Sequence, residues 1–269
     1  MNAAVLARVR QRYRDARGQA PGLRLPYFVA PLHRRSTILL RRRLRQLGVR
    51  DGGRYVSEVE ALRRRIEAAL ADAAALLPGN PPGGIHAAEG AFLYALVRGL
   101  RPSLVAETGT AHGVSTTYLL SALAANDAGR LVSIDLPFEL GGGDELLRPV
   151  VPGTSIEPEH SSPLPPGRGP GWIVPAELRG RWELRLGDAR ALLPPLLDDL
   201  GRIDVFFHDS LHTREHMLFE FERAWAHLKP GGVLVSDDVA LRGHDALPSF
   251  AHSVGRPFRT FGNLGFVRK

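Results

Sequence analysis

No cysteine occurs anywhere in the 269 residues, so disulfides and thiolate-held metals are excluded, which suits a reducing compartment. Lysine is almost missing as well: Lys229 and Lys269 are the only two, and arginine supplies the rest of the 35 basic residues. No apolar run approaches the roughly 20 residues that a membrane helix needs. The apolar stretch Ala3 to Ala7 is too short for a secretory core, so a cytoplasmic protein without membrane contact is expected. What is present is a hydrophobic fraction of 44%, enough for one large α/β domain with a sizeable core and an extension.

The charge is unevenly placed. Residues 1–80 contain 17 arginines, no lysine and 6 acids, whereas the remainder has 18 basic and 22 acidic residues. Such an arm can hold RNA, an anionic substrate or an acidic neighbouring subunit, which would make a homo-oligomer through the amino-terminal extension. The plainer reading is that arginine replaces lysine on solvated helix faces. Helices are predicted over residues 2–17, 36–47 and 55–77, the last with Val56, Val59, Leu62, Ile66, Ala69 and Leu70 on one face. Pro78 to Gly84 (PGNPPGG) reads as a linker, dividing a basic helical extension, 1–80, from a domain spanning 81–269.

The organising stretch is Ser103 to Tyr118, SLVAETGTAHGVSTTY. An apolar run ends at Glu107, meets Gly109 and Gly113, and passes into helical spacing: strand, tight turn, helix. In an open parallel sheet that turn lies at the carboxyl edge of the strands, where ligands bind. Thr110 stands where a dinucleotide fingerprint needs its second glycine, and no Gly-Lys-Ser/Thr follows, so a nucleotide-like ligand without phosphates at this turn fits better.

From there strands and helices alternate, which predicts an α/β, doubly wound parallel sheet. Strands are predicted at 104–107, 131–134, 182–186, 203–207 and 233–236, each with an acid at or just beyond its end: Glu107, Asp135, Asp188, Asp209 and Asp237. Residues 257–269, split by Gly262 and Asn263, read as two strands and a tight turn. Phe138 to Gly171 has GGG, several prolines and no sustained period, a long loop on the ligand edge that could serve as a lid.

Asp135 follows Gly113 by 22 residues, a suitable distance for a carboxylate that grips both ribose hydroxyls of a nucleotide. Asp188, with the Ala189 backbone beside it, could accept from an adenine amino group, or could simply cap the next helix. His208, His212 and His216 have helical i, i+4 spacing, a rival zinc reading weakened by His208 belonging to the strand. His212 is either a base or the cap of a helix over 213–228, whose Met217, Leu218, Phe221, Trp225 and Leu228 form a buried stripe.

The segments AETGTAHGVST (106–116), SIDL (133–136), GWIVPAELRGRWELRLGDAR (171–190) and IDVFFHDSLHTREHMLFEFERAWAHLKPGGVLVSDD (203–238) resemble class I S-adenosylmethionine-dependent methyltransferases. Within them the likeness is to the metal-dependent O-methyltransferase branch of macrolide-sugar and catechol-type enzymes. It covers most of residues 87–238 and leaves the first 80 outside. The resemblance implies a seven-stranded, mostly parallel, Rossmann-like sheet and S-adenosylmethionine as cofactor. It places Glu107, Gly109, Ala111 and Ser115 around the methionine part, with Thr110, Gly113 and Leu136 also among the cofactor-binding positions, Asp135 at the ribose, and Asp188 and Ala189 near the adenine. It further implies a divalent cation held by Asp209, Asp237 and Asp238, with His212 and Asp209 as catalytic residues. Three adjacent carboxylates would repel one another unless a cation sat among them, and all-oxygen ligands favour Mg2+.

The expected activity is therefore magnesium-assisted O-methylation of a small sugar-bearing or phenolic metabolite, as in secondary metabolism. Nucleic acid is not the expected acceptor, because His-Asp-Ser-Leu-His follows the fourth predicted strand in place of Asn/Asp-Pro-Pro-Tyr/Phe. The alternatives are a metal-independent methyltransferase on another acceptor, or a non-catalytic protein that binds S-adenosylmethionine or RNA.

Overall fold

The computed structural model describes residues 34–76, 84–140, 147–149, 164–165, 167–239 and 245–269. The helix expected over 2–17 and most of the 78–84 linker lie outside these residues. Helices α1 (Arg34–Gln46), α2 (Gly52–Leu76) and α3 (Ala87–Leu100) come first. Strand β1 (Leu104–Thr108), helix α4 (Val114–Ala125) and β2 (Arg130–Asp135) follow, then a short antiparallel pair, β3 (Phe138–Leu140) and β4 (Leu147–Pro149). After a 3-10 turn at Ala176–Arg181 come β5 (Trp182–Leu186), α5 (Ala189–Leu200), β6 (Ile203–His208), α6 (Arg214–His227) and β7 (Leu228–Ser236). Helix α7 (Ala246–Ser253), β8 (Arg259–Phe261) and β9 (Leu264–Arg268) complete the described chain.

Seven strands form one sheet in the order β5-β2-β1-β6-β7-β9-β8. The five strands from β5 to β7 are parallel, and β9 runs antiparallel to both β7 and β8. The chain winds from β1 outward through β2 to β5, then returns to β6 on the other side of β1. That reversal opens a crevice at the carboxyl ends of β1 and β6.

Strand alternation feeds two apolar layers. Along β6, Val205 and Phe207 join a cluster with Phe92, Leu96, Tyr118 and Leu119 of α3 and α4, while Phe206 faces Leu193, Leu197, Phe221 and Phe250 of α5, α6 and α7. Phe92 stacks between Phe261 and Phe266, at centroid distances of 5.4 and 5.1 Å, which ties α3 to the antiparallel edge.

Three differences from the sequence reading have physical causes. Helix α2 begins at Gly52, ahead of the expected residue 55, because its two glycines allow α1 to approach: a Cβ on Gly52 would lie 2.6 Å from Leu44 Cδ1. Helix α7 has no strong period of its own, but Phe250 packs on Phe221 and Trp225 of α6, at 5.7 and 5.5 Å. Strand β7 reaches back to Leu228, since Gly232 lets it lie against the Asp204 carbonyl, where a Cβ would stand at 2.8 Å. Within the expected 138–171 loop, the described residues include the β3/β4 pair.

The helices before the linker are not set apart from the sheet. Leu40, Leu44 and Leu47 of α1 and Val59, Ile66 and Leu70 of α2 belong to the same buried cluster as Phe92, Leu96 and Phe266. Across α2 and α3, Glu58 accepts from Arg98 Nε at 2.9 Å and from the Tyr94 hydroxyl at 3.1 Å. Leu44→Ala should therefore cost about 2–5 kcal/mol, the range for a buried leucine truncation. Urea unfolding followed by tryptophan fluorescence and circular dichroism should show one earlier, still single transition; two separate transitions would mark the extension as an independent unit.

Candidate functional site

The end of β1 presents two residues to opposite faces of the sheet, and each is the centre of a buried polar network. Glu107 faces α4. It is 1% exposed, and its carboxylate accepts from Ser115 Oγ at 2.7 Å, Thr116 Oγ1 at 2.8 Å and Ser133 Oγ at 2.6 Å. Ser133 in turn receives Trp182 Nε1 at 2.9 Å, so β1, α4, β2 and β5 meet at one acid. Burial pushes Glu107 up to about 7, against the three hydroxyl bonds that favour its charge. Glu107 and Ser115, both expected beside a cofactor, are bonded to each other and brace the turn from below.

Thr108 faces the other side and donates to Glu220 Oε2 at 2.5 Å. The same carboxylate receives His208 Nδ1 at 2.7 Å, His216 Nε2 at 2.8 Å and Ser210 Oγ at 2.8 Å. Burial opposes the ionisation of Glu220, and the two imidazoles overcome it, holding the carboxyl well below its ordinary range. Glu220 went unnoticed in the sequence. Its signal is an acid four residues after His216 on the face that also buries Met217, Phe221 and Ala224.

Above these networks the turn after β1 is fixed by its neighbours. Gly109 has φ +86, donates to the Ile134 carbonyl at 2.9 Å, and lies so close to the next loop that a Cβ would stand 2.0 Å from the Asp209 carbonyl oxygen. Gly113, φ +95, is the residue before α4 and touches Gly171, where a Cβ would come within 2.7 Å of Cα. Gly171 N donates to the Ala111 carbonyl and Ile173 N to the His112 carbonyl, so the segment leading to β5 is laid across the turn. Ala111 takes φ +43 without being glycine, a conformation held by these contacts.

Asp135 ends β2 with its Oδ1 accepting from Thr110 N at 2.8 Å and Ala111 N at 3.3 Å. Its Oδ2 is buried with no hydrogen-bond partner, and burial pushes the carboxyl up to about 6 despite the two amides. Three further buried polar atoms along the same edge have none: Thr110 Oγ1, His112 Nε2 and His208 Nε2. Trp172 Nε1 donates to His112 Nδ1 at 3.0 Å, which makes Nδ1 the acceptor and leaves the ring proton on Nε2. Burial pulls His112 down to about 4, so it stays neutral. His112 was also missed, because one histidine in a glycine turn carries no spacing signal.

At the adenine end of the expected site, Leu136 is half-buried beside Asp135, and Leu186 is 45% exposed at the tip of β5. Asp188 is exposed and caps α5, its Oδ1 accepting from Arg190 N at 2.8 Å, with Ala189 buried behind it.

The strand-end acids of β6 and β7 continue the ladders: Asp209 N donates to the Thr108 carbonyl at 2.8 Å and Asp237 N to the His208 carbonyl at 2.9 Å. His212 Nε2 lies 3.9 Å from Asp209 Oδ1, and its ring stands edge-on to His208 at 5.1 Å. The cap of α6 is Thr213, whose side chain accepts from His216 N, so His212 does not have that role. Among the described residues no group of three His, Asp or Glu side chains is gathered to hold a metal ion. Asp209, Asp237 and Asp238 follow neighbouring strand ends without forming a cage; Asp238, at φ +56, sets its charge against Glu89 of α3. His208 and His216 are turned to Glu220, which removes the zinc arrangement. No described helix is long and apolar enough to cross a membrane.

Residues 106–239 match the profile of a methyltransferase-domain family, Methyltransf_24. No curated protein is significantly similar to the chain. Among solved structures, the cofactor-bound Rv0187 protein from MTB is similar at TM-score 0.50 and 20% identity, over 76% of this chain and 89% of that one. The O-methyltransferase TomG from Streptomyces achromogenes, involved in tomaymycin synthesis and solved with SAM, is 23% identical over 74% of this chain and 87% of its own, at TM-score 0.48. An O-methyltransferase from Bacillus cereus in complex with SAH is 19% identical over 80% and 90%, at TM-score 0.45. With the matched residues running from the end of β1 to just beyond β7, and the strand order that places the crevice between β1 and β6, the chain belongs to the class I S-adenosylmethionine-dependent methyltransferases.

Proposed function

We propose that this chain is an O-methyltransferase that transfers the methyl group of S-adenosylmethionine to a hydroxyl of a small molecule. The observation that carries the reading is the row of buried, unpartnered polar atoms along the crevice: Asp135 Oδ2, Thr110 Oγ1, His112 Nε2 and His208 Nε2. Buried polar atoms are nearly always hydrogen-bonded, so a row of exceptions at one edge calls for a polar ligand. When bound, S-adenosylmethionine supplies an electrophilic methyl group on a sulfonium. The residues present fit it. Asp135, oriented by the amides of Thr110 and Ala111, offers a free carboxylate oxygen to the ribose hydroxyls. Leu186 and Leu136 give the adenine apolar cover, and Asp188 keeps a second carboxylate oxygen after capping α5. The turn carrying Gly109, Ala111 and Gly113, braced by Glu107 and Ser115, sets the backbone at the methionine end.

His212 takes the acceptor's proton in this reading. It stands on the loop after β6, on the acceptor side of the crevice, and the Asp209 carboxylate 3.9 Å away favours the imidazolium that proton transfer creates. A second reading adds a divalent cation, and its support is the three carboxylates Asp209, Asp237 and Asp238 at adjacent strand ends. As they stand these side chains do not converge, so a cation would have to draw them together. Assays of phenolic and sugar-bearing acceptors with and without chelator separate the two. Transfer abolished by chelation and restored by magnesium selects the cation; undiminished transfer selects His212 unaided.

Asp135→Ala should weaken S-adenosylmethionine binding by about 1.5–3 kcal/mol, the size of a hydrogen bond to a charged group, with the fold retained. Wild-type affinity should itself fall as pH drops below about 6, because the protonated carboxyl no longer receives both hydroxyls. Calorimetry across pH checks both, and the pH dependence should be lost in Asp135→Asn. His212→Ala should lower turnover by roughly 10²- to 10⁴-fold while sparing cofactor affinity. Glu220→Leu should cost about 3–5 kcal/mol, since it strands the two buried histidines. Glu220→Gln, which can still accept from Thr108, should lose less stability, and the kcat and KM of that variant will report whether the loop carrying His212 has shifted.

A further inference from the structure

Several arginines of the described chain are matched by acids. Arg54 pairs with Glu58, Arg63 with Glu60 and Glu67, Arg98 with Glu58, Arg190 with Glu215 and Arg214 with Asp245. Three that are not matched are gathered in one cleft of about 280 Å³ between α1 and β8, lined by Arg42, Arg43, Gln46, Phe258, Arg259 and Thr260. Its lining holds three guanidinium groups and no acid, and none of the three is paired with a carboxylate among the described residues. The cleft is remote from the crevice. Strand β8 is the outer strand of the sheet, four strand spacings from β1, or about 19 Å across the sheet.

We propose that this cleft binds a small phosphate-bearing anion through Arg42, Arg43 and Arg259. Arg43 is already oriented to receive an oxyanion. Its Nε donates to the Thr260 carbonyl at 2.9 Å and its Nη1 to Gln46 Oε1 at 3.3 Å, which fixes the plane of the guanidinium and leaves Nη2 uncommitted. A fixed fork loses little freedom when it closes on an oxyanion, and arginine matches phosphate geometry better than lysine. The three charges are close enough to work against one another. Burial, then Arg259 and Arg42, weaken the hold of Arg43 on its proton, and an anion among them would relieve that repulsion. The size argues for a small ligand: a nucleic-acid strand needs a groove that follows its backbone, with stacking platforms along it. Here a single half-buried ring, Phe258, forms one wall. Occupation would also clamp α1 of the extension onto the edge strand, since the lining comes from both.

The test uses the full chain with inorganic pyrophosphate as the probe, at constant ionic strength, by calorimetry and thermal shift. Saturable one-to-one binding and a raised Tm are expected, and the double variant Arg42→Ala/Arg259→Ala should bind at least roughly tenfold more weakly, the loss of one charge-assisted hydrogen bond or more. Both residues are exposed, so the variant should fold, and its affinity for S-adenosylmethionine should match the wild type. Absence of pyrophosphate binding would overturn the proposal, as would equal binding by wild type and variant. It would also fail if a single-stranded RNA oligomer bound far more tightly than pyrophosphate, with affinity rising with length and lost in the same variant, since the cleft would then belong to an extended nucleic-acid surface.

Discussion

A carboxylate without access to water holds this fold together at its centre. Glu107 is sealed between the sheet and α4, and three hydroxyls from Ser115, Thr116 and Ser133 supply the bonds that solvent would have made. Taking an acid out of water is costly unless its oxygens are satisfied, so each partner is constrained by the one acid. Ser115 and Thr116 fix where α4 begins; Ser133 fixes β2 beside β1, and through Trp182 it reaches β5. The glycine turn between Glu107 and Ser115 has no freedom left. Its shape follows from the two ends being tied together, and Gly171 is laid over it from the outside.

The opposite face of the same strand repeats the device with a different purpose. Glu220 gathers Thr108, His208, Ser210 and His216, which anchors the β6–α6 loop from beneath. That loop carries Asp209 and His212. The two faces of the sheet beneath the crevice are thus supported by separate buried acids, Glu107 of β1 and Glu220 of α6, the latter bonded to the adjacent β1 residue Thr108. Rigidity on both sides matters for methyl transfer, because nucleophile and methyl group must be aligned and a misplacement of about 1 Å can cost roughly 10²-fold in rate.

The amino-terminal helices belong to this arrangement more closely than their composition implies. Six of their eight arginines with described side chains are exposed, but Leu40, Leu44, Val59 and Ile66 close the layer over α3, and α1 reaches the edge strand, where Arg43 satisfies the Thr260 carbonyl. An edge strand with open backbone groups invites pairing with other chains, and covering it with a helix prevents that. The basic character of the extension and its structural role are therefore distinct properties of the same helices, one on each face.

Much was legible in the sequence because it is local. The alternation of apolar runs and helical spacing, the glycines at 109 and 113, and the acids at successive strand ends are patterns within a few residues, and the parallel sheet with its ligand edge followed from them. The matched segments were enough to indicate the family. What stayed hidden depends on residues far apart in the chain. That Glu107 spends its bonds on Ser115, Thr116 and Ser133, that Glu220 lies beneath His208, and that Gly52 opens a helix instead of preceding one are decided by which surfaces meet. The same holds for the cap of α6, expected at His212 and taken by Thr213, whose side chain accepts from His216 N. Sequence spacing determined which acids reach the carboxyl edge; packing alone decided the direction each side chain takes there, since a carboxylate turns inward when buried hydroxyls satisfy it and keeps an oxygen without a hydrogen-bond partner, as Asp135 Oδ2 does, when they do not.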